Sequence, residues 1–200
     1  MFIIKHNEKE TVHNNIVDDA TNIYEAKYLS KLSQYLLKQG YTNNEIVILT
    51  FYEKQVNLIK EDINKLGLYA LKVKTVDDYK GEECKIVLLS LVKSNDNYDI
   101  GVLNWFEKVY IAFSSAKIGF YIIGNIDNLV KGDNMLKEKY NTNKDNNIDP
   151  RLLGIWEKII DKAKELDIIG DTLVLECFNH KNKTEIKTYK DFEKCPDGGC

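Results

Sequence analysis

Val87-Leu88-Leu89-Ser90-Leu91-Val92 is an almost unbroken apolar run, set inside the polar-flanked segment TVDDYKGEECKIVLLSLVKSN from Thr75 to Asn95. A half-exposed strand alternates apolar and polar residues, and this one does not. It therefore reads as a strand covered on both faces, at the centre of a parallel sheet. Shorter runs of the same kind occur at Phe2-Ile-Ile-Lys5, Ile46-Val-Ile-Leu-Thr50, Leu71-Lys-Val-Lys-Thr75 and Phe120-Tyr-Ile-Ile-Gly124. The polar residues around the central run then fall in loops, where sheets of this class bind ligands.

Helical patterns separate the strands. Asn22 is placed to cap a helix with Glu25 as its reciprocal partner. Ile23, Ala26, Leu29, Leu32 and Leu36 follow at helical spacing, and Gly40 supplies a left-handed stop. A second helix carries Val56, Ile59, Ile63 and Leu66 on one face and ends at Gly67. Strand, helix and strand at this length make a right-handed βαβ unit. A third helix is expected over Leu103 to Ser114, with Phe106, Val109 or Tyr110, and Phe113 inward. These patterns give an α/β lobe over residues 1–130. Residues 131–149, rich in Asn, Lys and Asp, read as a polar loop or linker. A packing helix over 150–170 starts at Pro150, carries Leu152, Ile155, Trp156, Ile159, Ile160, Ala163 and Leu166, and stops at Gly170. A tail over 171–200 ends in Cys-Pro-Asp-Gly-Gly-Cys.

Composition narrows the class. At 200 residues, with 44% hydrophobic residues and a formal charge of −3, the chain can bury a full core and has no global basic field. Any nucleic-acid contact must come from a local groove. No apolar run approaches the roughly 20 residues that span a bilayer. The N-terminus lacks the basic-then-apolar pattern of a secretory signal. Four cysteines, two of them bunched at the C-terminus, do not make a secreted disulfide framework. The expectation is an intracellular protein, cytoplasmic or nuclear, with no membrane partner.

Four segments carry a resemblance: Val76-Asp-Asp-Tyr-Lys-Gly-Glu-Glu83, Ser90 to Asn95, Ile100-Gly-Val-Leu103, and Lys108 to Asn125. In order and spacing they resemble the C-terminal motifs of superfamily-one helicases of the Upf type, and among these the NFX-type zinc-finger-containing helicases. There a "VD-aromatic-Gln-Gly-Glu-Glu" motif leads into "ILLSLVRSN", "IGFL" and "RVNVALSRAKxGxYIIGN". The resemblance implies the second, RecA-like lobe of an ATP-dependent RNA helicase. It also implies single-stranded RNA, a first lobe in cis or in trans, and RNA-silencing or decay proteins as partners.

Site residues follow in the same way. The Tyr-x-x-Gln pair Tyr52 and Gln55 is implied at the nucleotide cleft, the alternative being a packed tyrosine and a surface glutamine. Gly81 and Glu83 form the stronger pair. A glycine admits close backbone approach, and a carboxylate can accept both hydrogens of a ribose diol; the resemblance makes Glu83 that carboxylate, against the plainer reading of a turn with solvated acids. Thr75, Ser90, Lys93 and Asn95 are implied at the RNA backbone, where neutral donors and a cation bind phosphate without reading sequence. Each also reads as a turn or capping residue.

Departures from the motif are concentrated where phosphate chemistry would occur. Lys80 stands for the family's glutamine and Lys85 for its aspartate. In KVYIAFSSAK, Lys108 replaces the first arginine, and Ser115 replaces the second, the finger that reaches the γ-phosphate. No G-x-x-x-x-G-K-[ST] phosphate loop occurs in the chain. ATP and magnesium are therefore expected only when a first lobe completes the site, and the chain alone is expected not to hydrolyse ATP. The alternative is a catalytically inactive RNA- or protein-binding module. Cys177, His180, Cys195 and Cys200 make a possible zinc set. In the resembling family such residues lead into a long zinc-finger array, before which this chain stops; the plainer reading is four reduced cysteines.

Overall fold

The computed structural model describes residues 1–13, 19–143, 153–178 and 181–193. In chain order these hold strands β1 (Phe2–Lys5), β2 (Thr11–Val12) and β3 (Ala20–Thr21), helix α1 (Ile23–Lys38), β4 (Ile46–Thr50), α2 (Glu53–Lys65), β5 (Lys72–Thr75), β6 (Cys84–Ser90), α3 (Phe106–Ser114), β7 (Ala116–Gly124), α4 (Ile126–Asn143), α5 (Ile155–Glu165), β8 (Ile169–Gly170), β9 (Leu173–Glu176) and β10 (Lys183–Ile186). Six strands form one parallel sheet in the order β5-β4-β6-β7-β1-β8. The architecture is the α/β RecA-like one.

The apolar run lies where its pattern requires. β6 sits between β4 and β7, and Val87, Leu88 and Leu89 have no exposed surface. Because strand side chains alternate, Val87 and Leu89 enter one core while Ile86 and Leu88 enter the other. The first core is closed by Val109 and Ala112 of α3, Leu129 of α4, and Trp156, Ile160 and Ala163 of α5. The second is closed by α1, α2 and the β9–β10 hairpin.

Several boundaries differ from the sequence expectation. The segment expected as a linker over 131–149 is helical through Asn143, since α4 spans Ile126–Asn143. Ile126 and Leu129 bury one face of this helix, and Val130 and Leu136 pack against the same core. Its Asn, Lys and Asp content hid that periodicity. Asp133, fully buried, accepts from the main-chain amides of Gly154, Trp156 and Glu157 at 2.9, 3.0 and 3.2 Å and so caps the start of α5. Pro150 and Leu152 lie outside the described residues. The last helix ends at Glu165, with Asp167 at φ 53°, and Gly170 belongs to β8 rather than to a helix stop.

The expected tail is largely a packed hairpin. β9 and β10 pair antiparallel, and Leu173, Leu175, Ile186 and Phe192 join the second core. Tyr28 of α1 donates to Ile186 O, and its ring meets Phe192 edge-on at 5.3 Å. In α3 the inward residues are Val109 and Ala112, with Phe113 packed against them. Phe106 and Tyr110 are instead 43% and 63% exposed. Val109 and Phe113 thus face inward as expected while Phe106 does not, and the helix begins only after a 3₁₀ turn over Gly101–Asn104.

Candidate nucleotide cleft and nucleic-acid face

A parallel sheet has two distinct ends, and the expected site residues divide between them. Gly81 and Glu83 come just before β6, and Ser115 just before β7, so all three lie at the amino end of the central strands. Tyr52, Thr75, Ser90, Lys93 and Asn95 lie at or beyond the carboxyl ends of β4, β5 and β6. The nucleotide set expected from the resemblance, Tyr52, Gln55, Gly81 and Glu83, is therefore divided between the two ends of the sheet. A short connection through the 3₁₀ turn Asp77–Tyr79 carries the chain from one end of the sheet to the other.

At the amino end, Gly81, Glu83 and Ser115 line one cleft of about 520 Å³, together with Lys80, Phe106 and Tyr110. Gly81 has φ +81°, which its turn requires, and a Cβ there would meet nothing within 4 Å. The Glu83 carboxylate is 3.1 Å from Lys117 Nζ, and both side chains are more than half exposed. Lys117 lies on β7, not on the preceding helix, which is how it reaches this side. Lys108 pairs with Asp77 at 2.7 Å. Ser115, 2% exposed, donates its hydroxyl to Ile111 O at 2.7 Å and closes the end of α3. Phe106 and Tyr110 stack with ring centroids 6.0 Å apart.

This donor set suits the sugar of a nucleotide better than its phosphates. Glu83 offers an exposed acceptor for a diol. The rim carries Glu82, Glu83 and Glu107 beside Lys80, with Lys74 paired to Glu82 and Lys117 to Glu83, and Ser115 has neither charge nor reach for a γ-phosphate. Among the described residues no three His, Cys, Asp or Glu side chains converge as a metal set. Lys85 does not face this cleft. It pairs with Glu45 at 2.8 Å and lines a separate cavity of about 590 Å³ between α1 and the hairpin, which holds none of the expected nucleotide or RNA residues. The Lys85 hydrogen bond, with those of Thr42, holds the Glu45 carboxyl down to about 2.

The carboxyl end is built around two buried carboxylates. Glu25, with no exposed surface, accepts from Ser90 Oγ at 2.6 Å and from the Val92 amide at 2.9 Å, and its other oxygen is 3.0 Å from His6 Nε2. Asn22 does cap α1, its Oδ1 accepting from the Glu25 amide at 3.2 Å. The reciprocal partner is not Glu25, as the capping box predicts, but Gln55, whose Oε1 accepts from Asn22 N at 2.9 Å. Gln55 Nε2 donates to Asn22 O and to Ser90 Oγ, both at 3.0 Å, so this glutamine is a buried bridge between α1, α2 and β6. Tyr52 is buried, with Lys93 Nζ 5.9 Å from its ring centre.

Glu10 is the second carboxylate. It accepts from Lys93 Nζ at 3.3 Å, from the Ser94 amide, and from Asn95 Nδ2 at 3.2 Å. Asn95 N donates to Asn128 Oδ1 at 2.9 Å, and Asn125 Nδ2 donates to Ser94 Oγ at 2.8 Å. Thr75 forms a local turn, bonding Asp78 through its hydroxyl at 2.6 Å. Sequence reasoning gave no role to Glu10 or Asn128, and quoted Ser94 and Asn125 only as members of the resembling motifs. It noticed Glu25 only as a cap. Of the possible zinc set, Cys177 is a buried thiol whose sulfur accepts from Gln39 Nε2 at 3.8 Å. His180, Cys195 and Cys200 lie outside the described residues.

A family model described as an AAA domain, that of Upf1-like helicases, matches residues 1–127. The chain belongs to the Upf1-like helicase family. NFX1-type zinc finger-containing protein 1 of Mus musculus is 34% identical over 203 aligned residues, covering 100% of this chain and 9% of the mouse protein. Its Homo sapiens counterpart is 33% identical with the same coverage. The helicase required for RNAi-mediated heterochromatin assembly 1 of Schizosaccharomyces pombe is 34% identical over 70% of this chain and 14% of its own length. The chain thus spans about a tenth of the length of the mouse and human relatives. Among the described residues of this helicase-family domain, no helix is long and apolar enough to cross a membrane.

Proposed function

We propose that this chain is the second motor lobe of an RNA helicase of the NFX zinc-finger type. Its amino-end cleft faces a nucleotide and its carboxyl end faces the backbone of single-stranded RNA. The observation that carries this reading is the convergence of Gly81, Glu83 and the Ser115 position in one cleft, from segments 32 residues apart in sequence (115 − 83). Glu83 holds the ribose diol. A first lobe, in cis or in trans, supplies the phosphate loop and the magnesium ligands, so ATP with magnesium is held for turnover only in that assembly, while the chain alone offers a nucleotide its ribose contact. Zinc bound through Cys177, His180, Cys195 and Cys200 is part of the same proposal. The names of the fission-yeast helicase and of a regulator of nonsense transcripts that is 33% identical over 52% of this chain support RNA-silencing or decay proteins as partners.

A second reading, an inactive RNA- or protein-binding module, is favoured by Ser115, which lacks the charge of a finger. Turnover separates an active chain from both readings. The purified chain is expected to hydrolyse ATP at the buffer background, with or without RNA. Turnover well above that level, abolished by Glu83→Ala, would show that the chain carries a complete site.

A further inference from the structure

The Glu10 carboxylate occupies a set of donors that suits a phosphodiester. Lys93 Nζ, the Ser94 amide and Asn95 Nδ2 all converge on its two oxygens, and the Glu10 amide in turn donates to Ser94 O at 3.1 Å. One cation, one main-chain N–H and one side-chain amide, aimed at a single oxyanion, are the groups that bind nucleic-acid backbone. The arrangement is closed: the side chains of Glu10 and Lys93 are 3% and 1% exposed. A phosphate therefore reaches these donors only by replacing the carboxylate.

We infer that Glu10 is an intramolecular stand-in for an RNA phosphate, and that RNA binds this end by displacing it. This rests on the reading that the carboxyl end faces RNA, and it adds a gate to that site. The exchange is chemically matched, since one oxyanion replaces another on the same three donors. It does not strand Lys93, which also lies 3.2 Å from Asp99 Oδ2. Nor does it release the whole loop, because Asn95 N remains bound to Asn128 and the Val92 amide to Glu25. The segment carrying Glu10 is joined to the sheet through β1, and the strand that follows it, β2, pairs with the two-residue β3.

Glu10→Gln tests this. The amide keeps the size of the carboxylate and an acceptor for Ser94, but not the charge that competes for Lys93. With the full chain and a fluorescent single-stranded oligouridylate, Glu10→Gln is expected to bind about tenfold tighter than wild type, the worth of one charge-assisted hydrogen bond. Its log–log salt slope is expected to match that of wild type, because the same phosphate is bound in both. Adding Lys93→Met should remove the gain. A measurement on the unmodified chain guards against misfolding: hydrogen exchange at the Glu10 amide should speed up when the oligonucleotide binds. If wild type binds RNA, but Glu10→Gln binds no tighter or Glu10 exchange does not rise, the gate is wrong and the RNA face stands. If neither form binds RNA, the RNA reading fails and the gate with it.

Discussion

The main-chain amide of Val92 donates to the buried carboxylate of Glu25 at 2.9 Å, and Val92 has a φ of 67°. A β-branched residue in the left-handed region is strained and persists only where its surroundings hold it there. Asn22 Nδ2, 3.3 Å from Val92 O, holds the other side of the same residue. The start of α1 thus fixes the exit of β6. Glu25→Ala would leave the Val92 amide and the Ser90 hydroxyl buried without this acceptor, at a cost of about 2–4 kcal/mol. Urea unfolding is expected to show a loss of stability of that size, read as the midpoint shift multiplied by the slope, with Glu25→Gln less severe.

Asp133→Ala should loosen the last helix. Three buried amides at the start of α5 lose their acceptor, and about 2–3 kcal/mol should go with them. Fluorescence of Trp156, buried where α5 meets the first core, reports this directly and is expected to shift red at lower denaturant.

Two glycine substitutions should differ for separate reasons. At Gly81 a Cβ has open space, so Gly81→Ala carries only the cost of its positive φ, about 1–2 kcal/mol. At Gly132 a Cβ would lie 2.3 Å from Tyr98 O, a main-chain atom that cannot swing aside. Gly132→Ala is expected to move α4 off the 98 turn, with a loss of about 2–3 kcal/mol. A Gly132→Ala protein as stable as wild type would contradict this packing.

Glu45 gives a pH signature. Its folded carboxyl titrates at about 2, held down chiefly by the Lys85 hydrogen bond, while an unfolded glutamate titrates near its ordinary value of 4.5. Below 4.5 the unfolded chain binds a proton that the folded one refuses. The contribution is therefore complete above pH 4.5 and lost as pH falls towards 2. Glu45→Gln should flatten that part of the stability profile, by a small amount because the pair is solvent-exposed.

Restoring an arginine tests the cleft. In Ser115→Arg a guanidinium replaces a hydroxyl now bound to Ile111 O, within the cleft that holds Glu83. ATP affinity measured by calorimetry is expected to rise about tenfold, as one charge-assisted contact gives, while turnover stays at background.

Much of the sheet was legible because its signal is local. The ranges Phe2–Lys5 and Ile46–Thr50 match the structure, and Val87 to Leu89 are fully buried. Asn22 was legible as a cap for the same reason. Gln55 was not, since its partners Asn22 and Ser90 lie 33 and 35 residues away and no local pattern points to them. Glu10 reads as one acid in a polar stretch until folding places it against residues 93–95, more than 80 positions on. Composition misled at 131–143, where Asn and Lys masked the buried Asp133 and the core-packed Leu136. Tyr52 and Glu83 were assigned to one cleft because motif order does not say which end of a strand a residue occupies.

That division of the two ends is tested most directly by amide chemical-shift maps of the isotopically labelled full chain, titrated separately with ATP and with single-stranded RNA. ATP is expected to shift Gly81, Glu83 and Ser115, and RNA to shift Thr75, Ser94 and Asn95, with little overlap. Both ligands moving the same end, or ATP moving Tyr52 and Gln55 while leaving Gly81 and Glu83 unchanged, would contradict the account.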